Sequence, residues 1–258
     1  MYGRSQSAAA AHGRMGAMQA WSHGIPAELT VFVQKTYALL SFSLVLAAAA
    51  CWAMIQVMPT ATVTLKGGGT AVISTFPRWG IWALWGGMVL FGFLGNRAKN
   101  GARQGETSVA GLLFLCAMVV CAGAMLGPTL GTFVGLGMAN VVLAAAGTTA
   151  VVFIALTAYV LISGKNFSFM AGIVGMAFLA FFVAWMANAI FFQSANFQWW
   201  MAAVGAILVS AMILVNTSSV IHFFGPNNLV VPAVIALFID IFNLFLMLLV
   251  LFTGRRNE

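Results

Sequence analysis

Long apolar runs separated by short polar connections dominate the chain. A helix that crosses a hydrocarbon core about 30 Å thick needs about 20 predominantly apolar residues. Seven runs approach or exceed that length, and they predict seven membrane spans. The approximate limits of these spans are 37–57, 79–94, 108–126, 138–162, 169–192, 199–220 and 231–252. The pattern therefore predicts an all-α polytopic membrane protein.

Turn-forming residues mark the connections between the spans. The linker at 58–78 is rich in Thr and Val between proline and glycine, which is compatible with a short extended or hairpin excursion. The pair Gly127 and Pro128 is predicted to end the third span. Gly127, Gly131 and Gly135 recur every four residues, which is typical either of a close helix contact or of a tight turn beside proline.

Composition supports the membrane assignment. The 258 residues are 62% hydrophobic and 6% charged, with a mean hydropathy of +1.03, whereas soluble domains are about 25% charged. The predicted divisions are a flexible tail at 1–28, a seven-helix transmembrane domain at 29–254 and a short polar tail at 255–258. The first tail lacks the apolar segment of a secretory signal, and its Arg, Ser and Ala content leaves a transit peptide open.

The net charge of +7 comes from eleven Lys and Arg residues that are scattered along the chain. This distribution favours contact with a lipid bilayer over binding of nucleic acid. Seven spans put the two termini on opposite sides, and basic residues are more frequent on the cytoplasmic side. With the amino terminus inside, seven basic residues lie on the inner side and four on the outer side. The inner residues are Arg4, Arg14, Lys35, Arg97, Lys99, Arg103 and Lys165, and the outer residues are Lys66, Arg78, Arg255 and Arg256. The bias predicts a cytoplasmic amino terminus.

Asp240 is the one acidic residue within a predicted span. At 1.5 Å per residue it lies about 14 Å along the last span, close to the bilayer midplane. An acid at that depth costs about 2.5–3.5 kcal/mol on insertion scales, so we expect it to face protein or a wet cavity. Asn243 follows on the same helix face. Two roles are open for Asp240: a polar contact that holds helices together, or a proton-sensitive or ion-binding site.

The sequence lacks the motifs of membrane enzymes. It has no His-Glu-x-x-His pair for a zinc protease, and its one Ser-Gly pair, at Ser163, falls in a predicted loop. The three cysteines lie in apolar runs, which is typical of small buried hydrophobes rather than metal ligands. We therefore expect no enzyme activity, no cofactor and no metal site. His222, at the end of the sixth span, is expected to be interfacial, and pH sensing is the alternative.

The last two spans carry a distinctive pair of segments. ILVNTSSVIH at 213–222, followed by ALFIDIFNLFLMLL at 236–249, resembles the carboxyl-terminal signature of the Bax inhibitor-1 family. The segment at 126–170, which begins LGPTLGTFVGLGMANVV, is most similar to the bacterial YccA branch of that family. The resemblance extends from about residue 35 to residue 253.

The resemblance implies a bundle in which six helices surround a central, carboxyl-terminal seventh helix. Some family members share a proton between an acid in the sixth helix and another in the seventh, and this pair gates a pH-sensitive calcium leak. Asp240 matches the seventh-helix acid, but Asn216 occupies the sixth-helix position. The dyad mechanism is therefore not carried over intact, although Asn216 can still hydrogen-bond Asp240.

The YccA branch implies a second function. Its members resemble modulators and slow substrates of the membrane-anchored AAA protease FtsH, which engages a flexible cytoplasmic amino-terminal tail. The tail at 1–28 matches that requirement. The resemblance thus implies a non-enzymatic, multi-pass protein of the bacterial inner membrane that interacts with FtsH and its membrane scaffold. A calcium, cation or proton leak that uses Asp240 is the alternative.

Overall fold

Seven long helices follow one another along the chain. The computed structural model describes residues 27–64, 70–98, 108–188, 191 and 194–254. The helices are α1 (Ala27–Val57), α2 (Arg78–Arg97), α3 (Val109–Gly135), α4 (Ala139–Ser163), α5 (Ala171–Ala187), α6 (Ala195–Ser219) and α7 (Val230–Gly254). The predicted count of seven is confirmed. The predicted tails at 1–28 and 255–258 lie outside the described residues, apart from Ala27 and Glu28 in α1.

Six of these helices are long and apolar enough to cross a membrane. The exception is α2, whose 20 residues include three Trp and five Gly and so have a lower hydropathy. Trp79, Trp82 and Trp85 in its first half are exposed, as expected of residues that anchor a helix at the membrane surface. The chain is therefore a multi-pass membrane protein in which α2 is the least apolar helix.

The last helix, α7, is the centre of the bundle. It packs against α1, α2, α3, α4 and α6, and every residue from Val230 to Ile235 is buried. By contrast, α5 buries only Val174 and Phe181 and packs against α6. A helix that is apolar on all sides can be surrounded by other helices without exposing polar groups to lipid. The central position implied by the resemblance is confirmed.

Two apolar clusters divide α7 along its length. The first combines the amino-terminal half of α7, up to Phe242, with residues of α1 and α3 such as Leu40 and Met118. The second combines Leu244, Leu248 and Leu249 with residues of α4 and α6. The central helix thus joins two groups of helices that contact it at different depths.

The third helix continues past the point where the sequence predicts its end. α3 runs without interruption from Val109 to Gly135 and contains Pro128, so the prediction that Gly127 and Pro128 end the third span is wrong. Inside a bilayer no water is available to hydrogen-bond unpaired backbone groups. A continuous helix that contains proline therefore has a lower free energy there than a helix that is broken at the proline.

Glycines on one face of α3 allow close packing. A side chain at Gly123 would collide with the backbone of Ala47 in α1, and one at Gly127 would overlap Met54. The close helix contact, one of the two interpretations of the glycine repeat, is confirmed for Gly127. The tight turn is wrong, because these residues are helical.

A short hairpin interrupts the helical pattern between α1 and α2. Its strands, β1 (Thr60–Thr64) and β2 (Thr70–Ser74), are antiparallel, and Thr60 pairs with Ser74. The predicted excursion in this linker is confirmed. The Ser74 backbone N–H donates to Thr132 Oγ1 at 3.2 Å, so the hairpin is fixed to the last turns of α3.

Candidate functional site

Asp240 lies inside the bundle and contacts α6. Its side chain is 4% exposed, and it lies about 15 Å from the first residue of α7 at 1.5 Å per residue. The Asn216 Nδ2 donates a hydrogen bond of 2.8 Å to Asp240 Oδ2. The structure therefore brings together the two residues that the sequence singles out in the last two helices.

The surroundings of this pair are apolar. The α7 neighbours Leu237 and Phe238 are almost completely buried, and Phe242 is 6% exposed. The rings of Phe238 and Phe242 stack with their centroids 6.2 Å apart. In such an environment no solvent competes with the amide for the carboxyl oxygen, which strengthens the hydrogen bond. The pair can join two helices, and it also places one titratable group in the bundle interior.

The other two predicted site residues lie apart from this hydrogen bond. Asn243 is half-buried one turn further along α7, and its side chain makes no hydrogen bond to another described residue. His222 lies in a π-helical turn, Val220–Phe224, that follows α6. Its Nδ1 donates to the Ser218 carbonyl at 2.9 Å. His222 is six residues beyond Asn216, or about 9 Å along the helix.

Ser218 connects the end of α6 to the loop between α4 and α5. The Phe167 backbone N–H donates to Ser218 Oγ at 2.9 Å, and the Lys165 carbonyl lies 3.4 Å from the same oxygen. Lys165 itself is exposed. Ser218 therefore ties the end of α6 to this exposed loop.

Three buried hydroxyl groups on α1, α4 and α6 lie near one another. The Tyr37 hydroxyl on α1 faces those of Thr157 on α4 and Thr217 on α6. All three oxygens are inaccessible to solvent; the two threonine hydroxyls are close enough to interact with that of Tyr37, but their arrangement falls short of a regular hydrogen bond. Thr217 directly follows Asn216. We call Tyr37, Thr157 and Thr217 the hydroxyl cluster.

Metal binding finds no support among the described residues. Within them, no three side chains of His, Cys, Asp or Glu come close enough to hold an ion. Cys51 is buried, Cys116 and Cys121 are half-buried, and all three are free thiols. Asp240 is bonded to a neutral amide, whereas calcium prefers several oxygen ligands, often with more than one carboxylate.

Comparison with known protein families agrees with the resemblance that the last two helices carry. The family model described as "Inhibitor of apoptosis-promoting Bax1" matches residues 29–257, which include all seven helices except the first two residues of α1. The chain belongs to the Bax inhibitor-1 family. The resemblance inferred from the segments at 213–222 and 236–249 is thereby confirmed.

Bacterial and animal proteins are similar to this chain of the Bax inhibitor-1 family. An uncharacterised protein of Pseudomonas aeruginosa is 36% identical over 148 residues, which are 57% of this chain and 65% of that protein. The Escherichia coli protein named modulator of FtsH protease YccA is 35% identical over 127 residues, 49% of this chain and 57% of its own length. Protein lifeguard 4 of mouse is 38% identical over 104 residues, which are 39% of this chain and 42% of that protein. The alignments thus span less than two thirds of each of these relatives.

Sequence reasoning found the polar pair of this Bax inhibitor-1 family member and missed the hydroxyl cluster. The acid at Asp240 is conspicuous in an apolar span, and Asn216 follows from the resemblance. The hydroxyl cluster was missed, because isolated Thr and Tyr residues are common in membrane helices.

Proposed function

We propose that the protein is a non-enzymatic modulator of a membrane-anchored AAA protease of the FtsH type in the bacterial inner membrane. The observation that carries this proposal is the similarity to the Escherichia coli protein named modulator of FtsH protease YccA, at 35% identity. A second Escherichia coli relative, at the same identity, is named an inner membrane protein. None of these names describes a catalyst.

The segment that precedes α1 is the proposed point of engagement. Residues 2–26 are rich in Ala, Gly and Ser, and the resemblance to the YccA branch implies that the protease engages this end of the chain. The basic residues favour a cytoplasmic location for this segment by seven to four. The seven-helix bundle would then hold the segment beside the protease while its own helices remain in the membrane.

Crosslinking in native membranes tests the interaction. Full-length protein and a variant lacking residues 2–26 are tagged, crosslinked, extracted in mild detergent and analysed by mass spectrometry. We expect the AAA protease and its membrane scaffold to be recovered with the full chain and lost with the deletion. A variant with residues 2–26 in scrambled order controls for length and composition. Equal thermal unfolding of all three proteins shows that the bundle is intact, and unchanged protease recovery with the deletion would overturn the proposed role of the tail.

Cysteine labelling tests the orientation on which this proposal depends. In a background with the three native cysteines replaced by Ala, Lys165→Cys reports the α4–α5 loop and Thr62→Cys reports the hairpin; both positions are exposed. An impermeant maleimide is expected to label Thr62→Cys on intact cells and to label Lys165→Cys only after permeabilisation. The opposite pattern would place the amino terminus outside and exclude a cytoplasmic protease as its partner.

A pH-sensitive cation or proton leak is the second candidate function. The observation that favours it is the buried Asp240 carboxyl at the centre of the bundle, hydrogen-bonded by a neutral amide. Under this proposal, Asp240→Asn flattens the pH dependence of cation flux in liposomes, whereas Asp240→Glu retains it because a titratable carboxyl remains. Flux that is identical in the parent and Asp240→Asn would remove Asp240 from any such mechanism.

A further inference from the structure

The outward face of α2 carries an apolar stripe that ends in a cation. Gly86, Leu90, Phe93 and Arg97 recur at helical spacing along this face, and all four are exposed. The side chains of Leu90 and Phe93 are each 54% exposed. Arg97 lies in the last turn of α2, at the opposite end from the three exposed tryptophans. We call these four residues the α2 stripe.

The guanidinium group of Arg97 is held in place but is not neutralised. Its Cζ lies 4.7 Å from the centroid of the Phe93 ring, and this cation–π contact restricts its position. Asp240 is the one acidic side chain that the structure describes, and it is buried and bonded to Asn216. No described carboxylate therefore pairs with Arg97. Its planar fork of N–H donors matches the oxygens of a phosphate group.

The stripe continues from Arg97 to a bare part of the helix surface. No atom lies within 4 Å of a methyl group placed on Gly86, so this residue leaves a shallow depression on the exposed face. The distance along α2 from Arg97 to Gly86 is about 16 Å at 1.5 Å per residue. One leaflet of a hydrocarbon core about 30 Å thick has nearly the same depth. A single acyl chain can therefore lie along the stripe from its charged end to the depression.

We propose that the α2 stripe binds one anionic phospholipid. Arg97 binds the phosphate of the headgroup, and an acyl chain lies against Phe93, Leu90 and Gly86. Charge complementarity favours an anionic headgroup over a zwitterionic one, because the ammonium group of the latter competes with Arg97 for the phosphate. A soluble anion or an acidic peptide fits poorly, because the rest of the stripe is apolar. This inference does not depend on the proposed interaction with a protease.

Native mass spectrometry of the full-length protein tests the headgroup. The protein is freed of lipid in detergent micelles and titrated with phosphatidylglycerol or phosphatidylcholine that carry the same acyl chains. We expect the parent to retain phosphatidylglycerol at least about fivefold better, the ratio of a modest gain in charge-assisted hydrogen bonding. Arg97→Gln should retain the two lipids equally. Lys165→Gln removes another exposed cation, outside the stripe, and should behave as the parent does.

Three further samples test the geometry of the site. Arg97→Lys keeps the charge without the planar fork and should retain phosphatidylglycerol about two- to fourfold less well than the parent. Gly86→Leu fills the depression and should weaken retention of both lipids. Glycerol 3-phosphate carries the charged group without an acyl chain and should not displace phosphatidylglycerol at equal concentration. Thermal unfolding of the lipid-free proteins shows whether each variant is folded.

Four results would overturn the inference. Equal retention of the two lipids by the parent would mean that the headgroup is not recognised. Equal losses in Arg97→Gln and Lys165→Gln would mean that net charge and not the stripe attracts the lipid. Displacement by glycerol 3-phosphate, or unchanged retention by Gly86→Leu, would mean that no acyl chain lies along the stripe. If Arg97→Gln does not fold, Arg97→Lys takes its place in the comparison with Lys165→Gln.

Discussion

Asn216 and Asp240 form a hydrogen bond of 2.8 Å between the last two helices, at the depth where α7 passes from one apolar cluster to the other. Phe242 belongs to the first cluster and Leu244 to the second. Apolar contacts alone tolerate sliding of one helix along another, whereas a single polar pair is satisfied in one register. We interpret the pair as a feature that fixes α6 against α7, whatever else Asp240 does.

Removing the amide should therefore destabilise the bundle. Asn216→Leu keeps the approximate size of the side chain but leaves Asp240 without its donor, and the expected loss is about 1–3 kcal/mol. The measurement is unfolding of the purified protein by titration with sodium dodecyl sulfate in mixed micelles. Asn243→Leu, one turn further on α7, is the matched control and should change the unfolding free energy much less.

The double variant Asn216→Leu with Asp240→Leu separates the lost contact from a general packing defect. Replacing both partners removes the unsatisfied carboxyl together with its donor, so stability should return towards that of the parent. The expected coupling energy is about 0.5–2 kcal/mol, which is the range for polar contacts between membrane helices. Strictly additive single effects would contradict the interpretation of the pair as a coupled contact.

The close contact between α1 and α3 gives a second prediction. Gly123→Ala should destabilise the protein by about 1–3 kcal/mol, because the added methyl group meets the backbone of Ala47 and not a flexible side chain. Gly147→Ala on α4 is the control, since no atom lies within 4 Å of a methyl group placed there. The same detergent titration measures both variants, and equal stability of the two would show that α1 moves away at little cost.

The sequence predicts local features of this protein better than it predicts its contacts. Apolar runs define the seven helices, and the single embedded acid directs attention to α7. The continuation of α3 through Pro128 was not predicted, because proline usually ends helices in water. In a bilayer, a break in the helix leaves several backbone groups unpaired, which costs more than the single hydrogen bond that proline removes. The hydroxyl cluster was not predicted either, since Tyr37 and Thr157 are distant in sequence and become neighbours only in the folded bundle.

The attachment of the hairpin to α3 gives a third prediction. Thr132 Oγ1 donates to the Pro128 carbonyl at 2.9 Å and accepts from the Ser74 N–H, so one side chain bonds both to its own helix and to β2. Thr132→Val should speed hydrogen exchange at Ser74 several-fold, as measured by mass spectrometry of peptides from this strand. The exposed Thr129 is the control position, and Thr129→Val should leave the exchange unchanged. Slow exchange in Thr132→Val would show that strand pairing alone protects the hairpin.

Release of the α4–α5 loop gives the last prediction. Ser218 Oγ accepts from the Phe167 N–H at 2.9 Å, whereas Ser219 Oγ donates within its own helix to the Val215 carbonyl. A hydrogen bond contributes about 0.5–1.5 kcal/mol, so Ser218→Ala should raise the population of the open loop about two- to thirteenfold. Trypsin cleavage after the exposed Lys165, followed by mass spectrometry at limiting protease, should accelerate by the same factor. Ser219→Ala is the matched control, and equal cleavage of the two variants would mean that the loop is held by contacts other than Ser218.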